Sequence, residues 1–417
     1  MSPWEWGLIG LLAFAAAQQL AAAGLFLFRS RPRDSRPQET PPTFPPALVV
    51  LPVRGADERL REACRGLRSQ SYPRMSVRVI LDDPEGSVEP LLKEELGDDS
   101  RFEILPLENP LETCGLKNSA VLQATRNMSA ECEVVAFIDS DVVPQAMWLE
   151  ELVRPVVSGE ADCSYGCRWY ALEDRRLGSV WRYGWCAASL VSALVRNVPW
   201  GGSLAVRKAI LEEQPLRELW AKCGCEDLPL SSYLRKSGRT LKGLPQLLMV
   251  ERSSCSVPAY RRFVGRQMLW TRLYRPDAFW PVGVLYLSLA ISLWGLTGFA
   301  IWRFLQRDFS EFWSLAAVLA VYVGMVLLLV GLIERRARRF SPNLDDHSQR
   351  LGFRGSFAIV ASAWLVPDLF ISPLLTKRLT WRGVTYDVST PYGIRLLSDT
   401  SREESPARTR PNSSRDR

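Results

Sequence analysis

Val134-Val135-Ala136-Phe137-Ile138-Asp139-Ser140-Asp141 decides the reading of the chain: an unbroken apolar run ends in two carboxylates one residue apart. Such a run predicts a strand buried on both faces of a largely parallel sheet. In extended backbone, residues i and i+2 share a face, so Asp139 and Asp141 project together from the strand's C-terminal end. Open α/β sheets place their ligands at that end. Two hard oxygen donors without a soft one suit Mg²⁺ or Mn²⁺ carrying a diphosphate. Read alone, Asp-x-Asp after a strand is equally a polar turn, because Asp and Ser are ordinary turn residues.

The flanking sequence alternates strand and helix signals. Ala47–Val53 and Val77–Leu81 read as buried strands, the second ending in Asp82-Asp83-Pro84. Glu58–Gln70 has Leu60, Ala63, Cys64 and Leu67 on one helical face. Val88–Leu96 reads as a helix, Phe102–Leu105 as a third strand, and Cys114-Gly115-Leu116-Lys117-Asn118 as the opening of a helix over Ser119–Asn127. The alternation predicts an α/β domain with a doubly wound, mostly parallel sheet.

Composition narrows the chemistry. The 417 residues contain one His, His347, so a multi-His metal site within one chain is excluded. Nine Cys without zinc spacing read as reduced thiols in a core. The net charge of +7 is not organised into a basic and aromatic module for nucleic acid. Its Arg residues cluster beside apolar blocks, which points to a membrane surface.

Trp4–Phe28 carries no charge except Glu5 and is long enough for the roughly 30 Å hydrocarbon core. Arg29, Arg31, Arg33 and Arg36 follow it, whereas a cleaved signal peptide carries its cations first. Pro281–Phe304 and Phe312–Ile333 read as two further spans, the latter followed by Glu334-Arg335-Arg336-Ala337-Arg338-Arg339. The positive-inside rule then puts the middle of the chain in the cytosol. Phe357–Leu375 holds Pro367, Asp368 and Pro373, and reads as a third span or a re-entrant hairpin. The resulting division is an anchor over 1–29, a linker over 30–46 and an α/β domain over 47–258. An amphipathic interfacial segment over 259–280, membrane helices over 281–376, a cytosolic tail motif over 377–397 and a disordered tail over 398–417 complete it.

Five further groups carry candidate chemistry. Lys117 sits at a helix start after a Gly turn, where ammonium and helix dipole can face phosphate or sugar oxygens; a solvated Lys fits equally well. Asp82 or Asp83 can accept hydrogen bonds from a base or ribose, although both also suit a turn before Pro84. Gly201 and Gly202, in Trp200-Gly201-Gly202-Ser203, allow close backbone approach to a ligand. Glu226-Asp227 and Arg266-Gln267-Met268-Leu269-Trp270 follow. Arg266 and Trp270 are four apart and share a helical face.

In this order, Asp82-Asp83, Asp139-Ser140-Asp141, Glu226-Asp227 and Arg266 to Trp270 resemble the motif series of membrane-bound family 2 glycosyltransferases. The branch containing ceramide glucosyltransferase and bacterial glycolipid synthases is the most similar. The resemblance implies a GT-A domain with one N-terminal and two to three C-terminal transmembrane helices. It implies a single sugar, glucose, moving from a UDP-linked donor to a lipid hydroxyl with inversion. Asp139 and Asp141 would then hold Mg²⁺ or Mn²⁺, and Asp227 would be the catalytic base. Asp82, Asp83, Lys117, Gly201, Gly202, Glu226, Arg266 and Trp270 would bind substrate. A processive polysaccharide synthase and a non-catalytic membrane scaffold are the rival readings. One position departs from the pattern: Leu269 stands where the family motif carries Arg, and Arg262 or Arg272 are the nearby substitutes. Thr380-Trp381-Arg382-Gly383-Val384-Thr385-Tyr386 also resembles a tail motif of some relatives, expected to pack back at the membrane face.

Overall fold

The computed structural model describes residues 1–30, 44–55, 57–83, 86–341, 353–362 and 366–404. Most of the expected linker, His347 and the end of the tail lie outside these residues. The chain opens on helix α1 (Pro3–Arg29) and continues β1 (Ala47–Arg54), α2 (Leu60–Arg68), β2 (Met75–Asp82), α3 (Glu89–Leu96), β3 (Phe102–Pro106), α4 (Leu116–Ala124) and β4 (Val134–Ile138). Then come α5 (Trp148–Val157), β5 (Cys163–Ala171), α6 (Leu177–Arg196), β6 (Ser203–Arg207), α7 (Lys208–Leu211), α8 (Gln214–Trp220), α9 (Asp227–Lys236) and β7 (Leu241–Arg252).

These seven strands form one sheet in the order β3-β2-β1-β4-β6-β5-β7. All neighbours are parallel except β6, which runs antiparallel to both β4 and β5. Alternate residues of β1 enter opposite cores. Val49, Leu51 and Val53 pack with Leu60, Leu92 and Trp148 on one side; Leu48 and Val50 pack with Val121, Trp220 and Leu230 on the other. Cover on both faces explains why the strands read as continuous apolar runs. The antiparallel β6 has a direct consequence for the site. Ser203 pairs with Ile138, so the Trp200-Gly201-Gly202 turn before β6 lies beside the Asp139-Ser140-Asp141 turn after β4.

Past the sheet, α10 (Val257–Tyr274) and α11 (Pro276–Leu305) replace the single interfacial segment expected over 259–280. The break falls at Arg275 (φ −134°, ψ 58°). Its buried guanidinium donates to the carbonyls of Arg196 and Asn197 at 3.0 and 2.8 Å and pairs with Asp277 at 2.9 Å. α12 (Phe309–Phe340) follows, then α13 (Phe353–Ala361) and α14 (Val366–Leu375). Of the described helices, α1, α11 and α12 are long and apolar enough to cross a membrane, and they share one apolar cluster. α13 and α14 have nine and ten residues, about half of a span. Among the described residues the late block contains these two short helices, with Asp368 of α14 paired to Arg261 at 2.7 Å.

The tail does not end in disorder at 398. β8 (Arg378–Trp381), β9 (Val384–Asp387) and β10 (Arg395–Asp399) form an antiparallel sheet, and α15 (Thr400–Glu404) follows. Val384, Tyr386, Val388 and Ile394 pack against Leu269, Trp270 and Tyr274 of α10. Asp399 pairs with Arg54 at 2.6 Å, and Arg402 with Asp82 at 2.8 Å. These long-range ion pairs order residues that composition alone assigns to a loose tail. Residues 405–417 lie outside the described set.

Candidate active site

A cavity of about 390 Å³ opens at the C-terminal ends of β1, β2 and β4, lined there by Arg54, Asp82, Asp139, Ser140 and Asp141. At its centre is a row of alternating charge, with Glu226 buried and Lys117 and Asp139 half-buried. Lys117 Nζ lies 2.5 Å from Asp139 Oδ1 and 2.6 Å from Glu226 Oε1. Burial works against the Lys117 charge, but Asp139, Glu226 and Asp227 outweigh it and raise its pKa. Burial pushes Asp139 up too, yet Lys117 and Arg168 prevail and hold it below the usual carboxylate range. In Glu226 burial wins over Lys117, and its pKa rises to about 7.

The two glycines belong to this row. A Cβ on Gly201 would stand 1.9 Å from Glu226 Oε1, and one on Gly202 would stand 2.8 Å from Asp139 Oδ2. Gly201 admits the Glu226 carboxylate, and Gly202 admits the Trp200 ring, at 2.1 Å from such a Cβ, together with Asp139. Asp227, the first residue of α9, accepts hydrogen bonds from the Gly201 amide at 2.9 Å and the Leu228 amide at 2.7 Å. Both it and Glu226 line the cavity. The Glu226 carbonyl accepts from Trp220 Nε1 at 2.9 Å, and the Cys225 carbonyl from Asn118 Nδ2 at 3.1 Å, which fixes the loop to α4 and α8.

The structure separates Asp82 from Asp83. Asp82 ends β2, faces the cavity and pairs with Arg54 and Arg402. Asp83 Oδ2 turns away to accept from the amides of Val88 and Glu89 at 2.7 and 3.1 Å, at the start of α3. Arg266 and Trp270 both line the cavity; Arg266 lies over the Trp381 ring at 4.9 Å, and Trp270 packs on Gly224. Leu269 is 1% exposed, inside the apolar cluster beneath the C-terminal sheet. Neither Arg262 nor Arg272 is among the cavity's lining residues.

Several lining residues were missed in the sequence: Arg54, Arg168, Trp381, Arg382 and Tyr386. Arg168 had a legible signal, a lone cation inside the apolar strand Cys163–Ala171, since unpaired charges are almost never buried. Trp381 and Arg382 lie in the noted tail motif, which covers the cavity rather than only the membrane face.

Asp139 and Asp141 fit a divalent cation. Among the described residues Asp141 has no hydrogen bond or ion pair, while burial and the neighbouring Asp139 and Asp57 push its pKa up. Two crowded carboxylates with an uncompensated charge and only oxygen donors suit Mg²⁺ or Mn²⁺. The cavity's other end is apolar, lined by Trp185 and Leu190 of α6, Phe263 of α10, and Ala278, Phe279, Val282 and Tyr286 of α11.

Residues 48–186, about a third of the chain, match the family Glycosyl transferase family 2. With this sheet, the match defines a glycosyltransferase family 2 domain of GT-A fold, and the protein is a glycosyltransferase. Glu226-Asp227 and the α10 motif lie beyond the matched residues. No curated protein matches the sequence. Among solved structures, the chain is similar to the mannosyltransferase PcManGT from Pyrobaculum calidifontis, solved with GDP-Man and Mn²⁺. That similarity has 15% identity and a TM-score of 0.45, over 86% of this chain and 99% of that one. It is also similar to 4-diphosphocytidyl-2C-methyl-D-erythritol synthase from Anaerococcus prevotii, at 8% identity and a TM-score of 0.33, over 49% of this chain and 87% of that one.

Proposed function

We propose that the enzyme transfers one sugar from a nucleotide-diphosphate donor to the hydroxyl of a membrane lipid. The observation that carries this reading is the single cavity that joins the acidic centre at Asp139 to an apolar limb on α11, a helix long enough to cross a membrane. A lipid hydroxyl can reach the donor along that limb while its chains stay among apolar side chains, which exclude water from the reacting bond. The resemblance adds glucose, a UDP-linked donor and inversion.

The roles of the side chains follow from their positions. Asp139 and Asp141 would hold Mg²⁺ or Mn²⁺, which when bound offsets the charge of the leaving diphosphate. Lys117 keeps Asp139 and Glu226 together in a fixed row. Asp227, oriented by the Gly201 amide, takes the acceptor's proton at a carboxylate oxygen as the hydroxyl attacks. Arg266 and Trp270 close the side between donor and acceptor, with Arg266 stacked beneath Trp381. Asp82, braced by Arg54 and Arg402, stands at the nucleotide end.

Purified protein in lipid, incubated with radiolabelled nucleotide-sugars, tests this. A single-sugar glycolipid is the expected product. A polymer would favour a processive synthase, and no transfer with any donor or lipid by folded protein would overturn the reading. Asp227→Asn should bind donor normally but lose about 10²-fold or more in kcat, the range of a general base. Substantial activity in that variant removes Asp227 as base.

A further inference from the structure

The family motif's second cation is missing at position 269, and the structure shows that this position has no access to a ligand. Leu269 is packed among Trp270, Tyr274, Val384 and Tyr386. An Arg there would bury its charge in an apolar cluster.

We propose that Arg168 holds the donor's diphosphate from β5, in the cavity that Arg266 also lines. The proposal rests on the nucleotide-diphosphate donor of the preceding section. Arg168 lines the cavity and sits in β5 on the same face as Gly166 and Tyr170, which also line it. Its Nε is 2.5 Å from Glu251 Oε1, and a terminal nitrogen is 3.6 Å from Asp139 Oδ2. The guanidinium carbon Cζ lies over the Trp200 ring, 4.2 Å from its centroid. Glu251 thus lies as an ion-pair partner along one edge, and Trp200 covers one face. The remaining donors of the rigid fork lie beside the metal-binding carboxylate, where the diphosphate has to sit.

Arg266 supplies an independent sign of an anion between the two. Among the described residues it has no carboxylate partner. Burial, and next the nearby Arg168 charge, push its pKa below the usual value. Two guanidiniums turned into one cavity repel each other until an anion separates them. The other cavity cations have carboxylate partners: Lys117 has Asp139 and Glu226, Arg54 has Asp82 and Asp399, Arg382 has Asp57 at 2.6 Å, and Arg168 itself has Glu251, so Arg266 is the cation whose charge an incoming anion would balance.

Calorimetric titration with Mn²⁺ and nucleoside di- and monophosphates (UDP, UMP, GDP, GMP) tests the assignment on the full-length protein. Arg168→Gln should weaken the preferred diphosphate roughly 10- to 100-fold, the range of a charge-assisted hydrogen bond, and the matching monophosphate much less. Arg168→Lys keeps the charge beside Glu251 but loses the fork. It should weaken the diphosphate roughly tenfold, and it decides the matter if Arg168→Gln melts early. Leu269→Arg should not restore affinity in either background. A folded Arg168 variant that binds diphosphate like wild type, or loses mono- and diphosphate equally, overturns the assignment. Wild-type protein that binds no nucleoside diphosphate at all would remove the donor reading itself, and this proposal with it.

Discussion

The Asp139-Lys117-Glu226 row is sensitive to single deletions because each member compensates a neighbour that is at least half-buried. Lys117→Met would leave the buried Glu226 carboxylate facing half-buried Asp139 without a cation, and leaving a buried polar group unpaired in this way costs roughly 1–3 kcal/mol. A marked fall in melting temperature is expected, together with loss of donor binding; an unchanged melting temperature would show that the row is not structural. Glu251 provides a pH readout. Burial raises its pKa to about 7 even with Arg168 alongside. The folded state therefore binds this proton more tightly than the unfolded state, whose carboxyl titrates near about 4.3. The stability that this provides is present below about pH 4.3 and is lost as pH rises to about 7. Glu251→Gln cannot lose it, so melting curves from pH 4 to 8 should show wild type weakening relative to the variant across that window. A constant difference would refute the shift. At this scale much was legible. Asp139, Asp141, Glu226, Asp227 and Trp270, singled out by residue type and order, all line the same cavity. Asp83 did not separate from Asp82, because sequence does not reveal that one carboxylate caps α3. Arg168 was passed over although its charge in an apolar strand is a readable anomaly.

At the scale of elements, strands and helices up to β4 were legible because each buries a face with a regular period. The C-terminal sheet was not, because its strands are four or five residues long and its partners lie on α10, more than a hundred residues earlier. The tail motif becomes intelligible once β8 and β9 are placed. Trp381, Arg382, Val384 and Tyr386 close one wall of the cavity, and the Leu116 amide donates to the Tyr386 hydroxyl at 3.3 Å. Ending the chain at Lys377 should therefore open the donor site and uncover Leu269 and Trp270. Each buried apolar side chain contributes about 1.5–3 kcal/mol, so the catalytic domain should melt earlier while the helices of the membrane bundle persist. Calorimetry should find donor affinity reduced by roughly tenfold or more, through loss of Arg382 and of the ring that supports Arg266. Wild-type affinity in the truncated protein would show that the sheet is only a surface appendage.

At the scale of the whole molecule, apolar blocks and Arg clusters were legible, but parity was not. A third late span would send the tail across the membrane, against the preference of Lys377, Arg378 and Arg382. The two late helices that are long and apolar enough to cross, α11 and α12, would by themselves leave the tail on the side of the catalytic domain. Phe26 of α1 and Ile333 and Ala337 of α12 share a core with Trp169 of β5, and Arg29 donates to the Leu194 carbonyl at 3.2 Å. α11 enters directly from α10. The catalytic domain thus sits at one end of all three long helices, beside Arg335, Arg336, Arg338 and Arg339. The opposite end is closed by Glu5 paired with Arg303 at 2.9 Å and by the Met1 amine on Glu311 at 2.5 Å. Trp4, Trp6, Trp302 and Trp313 are exposed around it, as aromatic residues are at a headgroup level. The cation asymmetry then predicts that the catalytic domain and tail are cytosolic and the Gln306-Arg307-Asp308 turn is outside. An epitope inserted at Arg307 should be reached by antibody on intact cells, and one at the C-terminus only after permeabilisation. The reverse pattern would place the donor site in a compartment where the nucleotide-sugar must first be transported, and would overturn the orientation. Labelling of both epitopes on intact cells would show that the three helices do not span as a set.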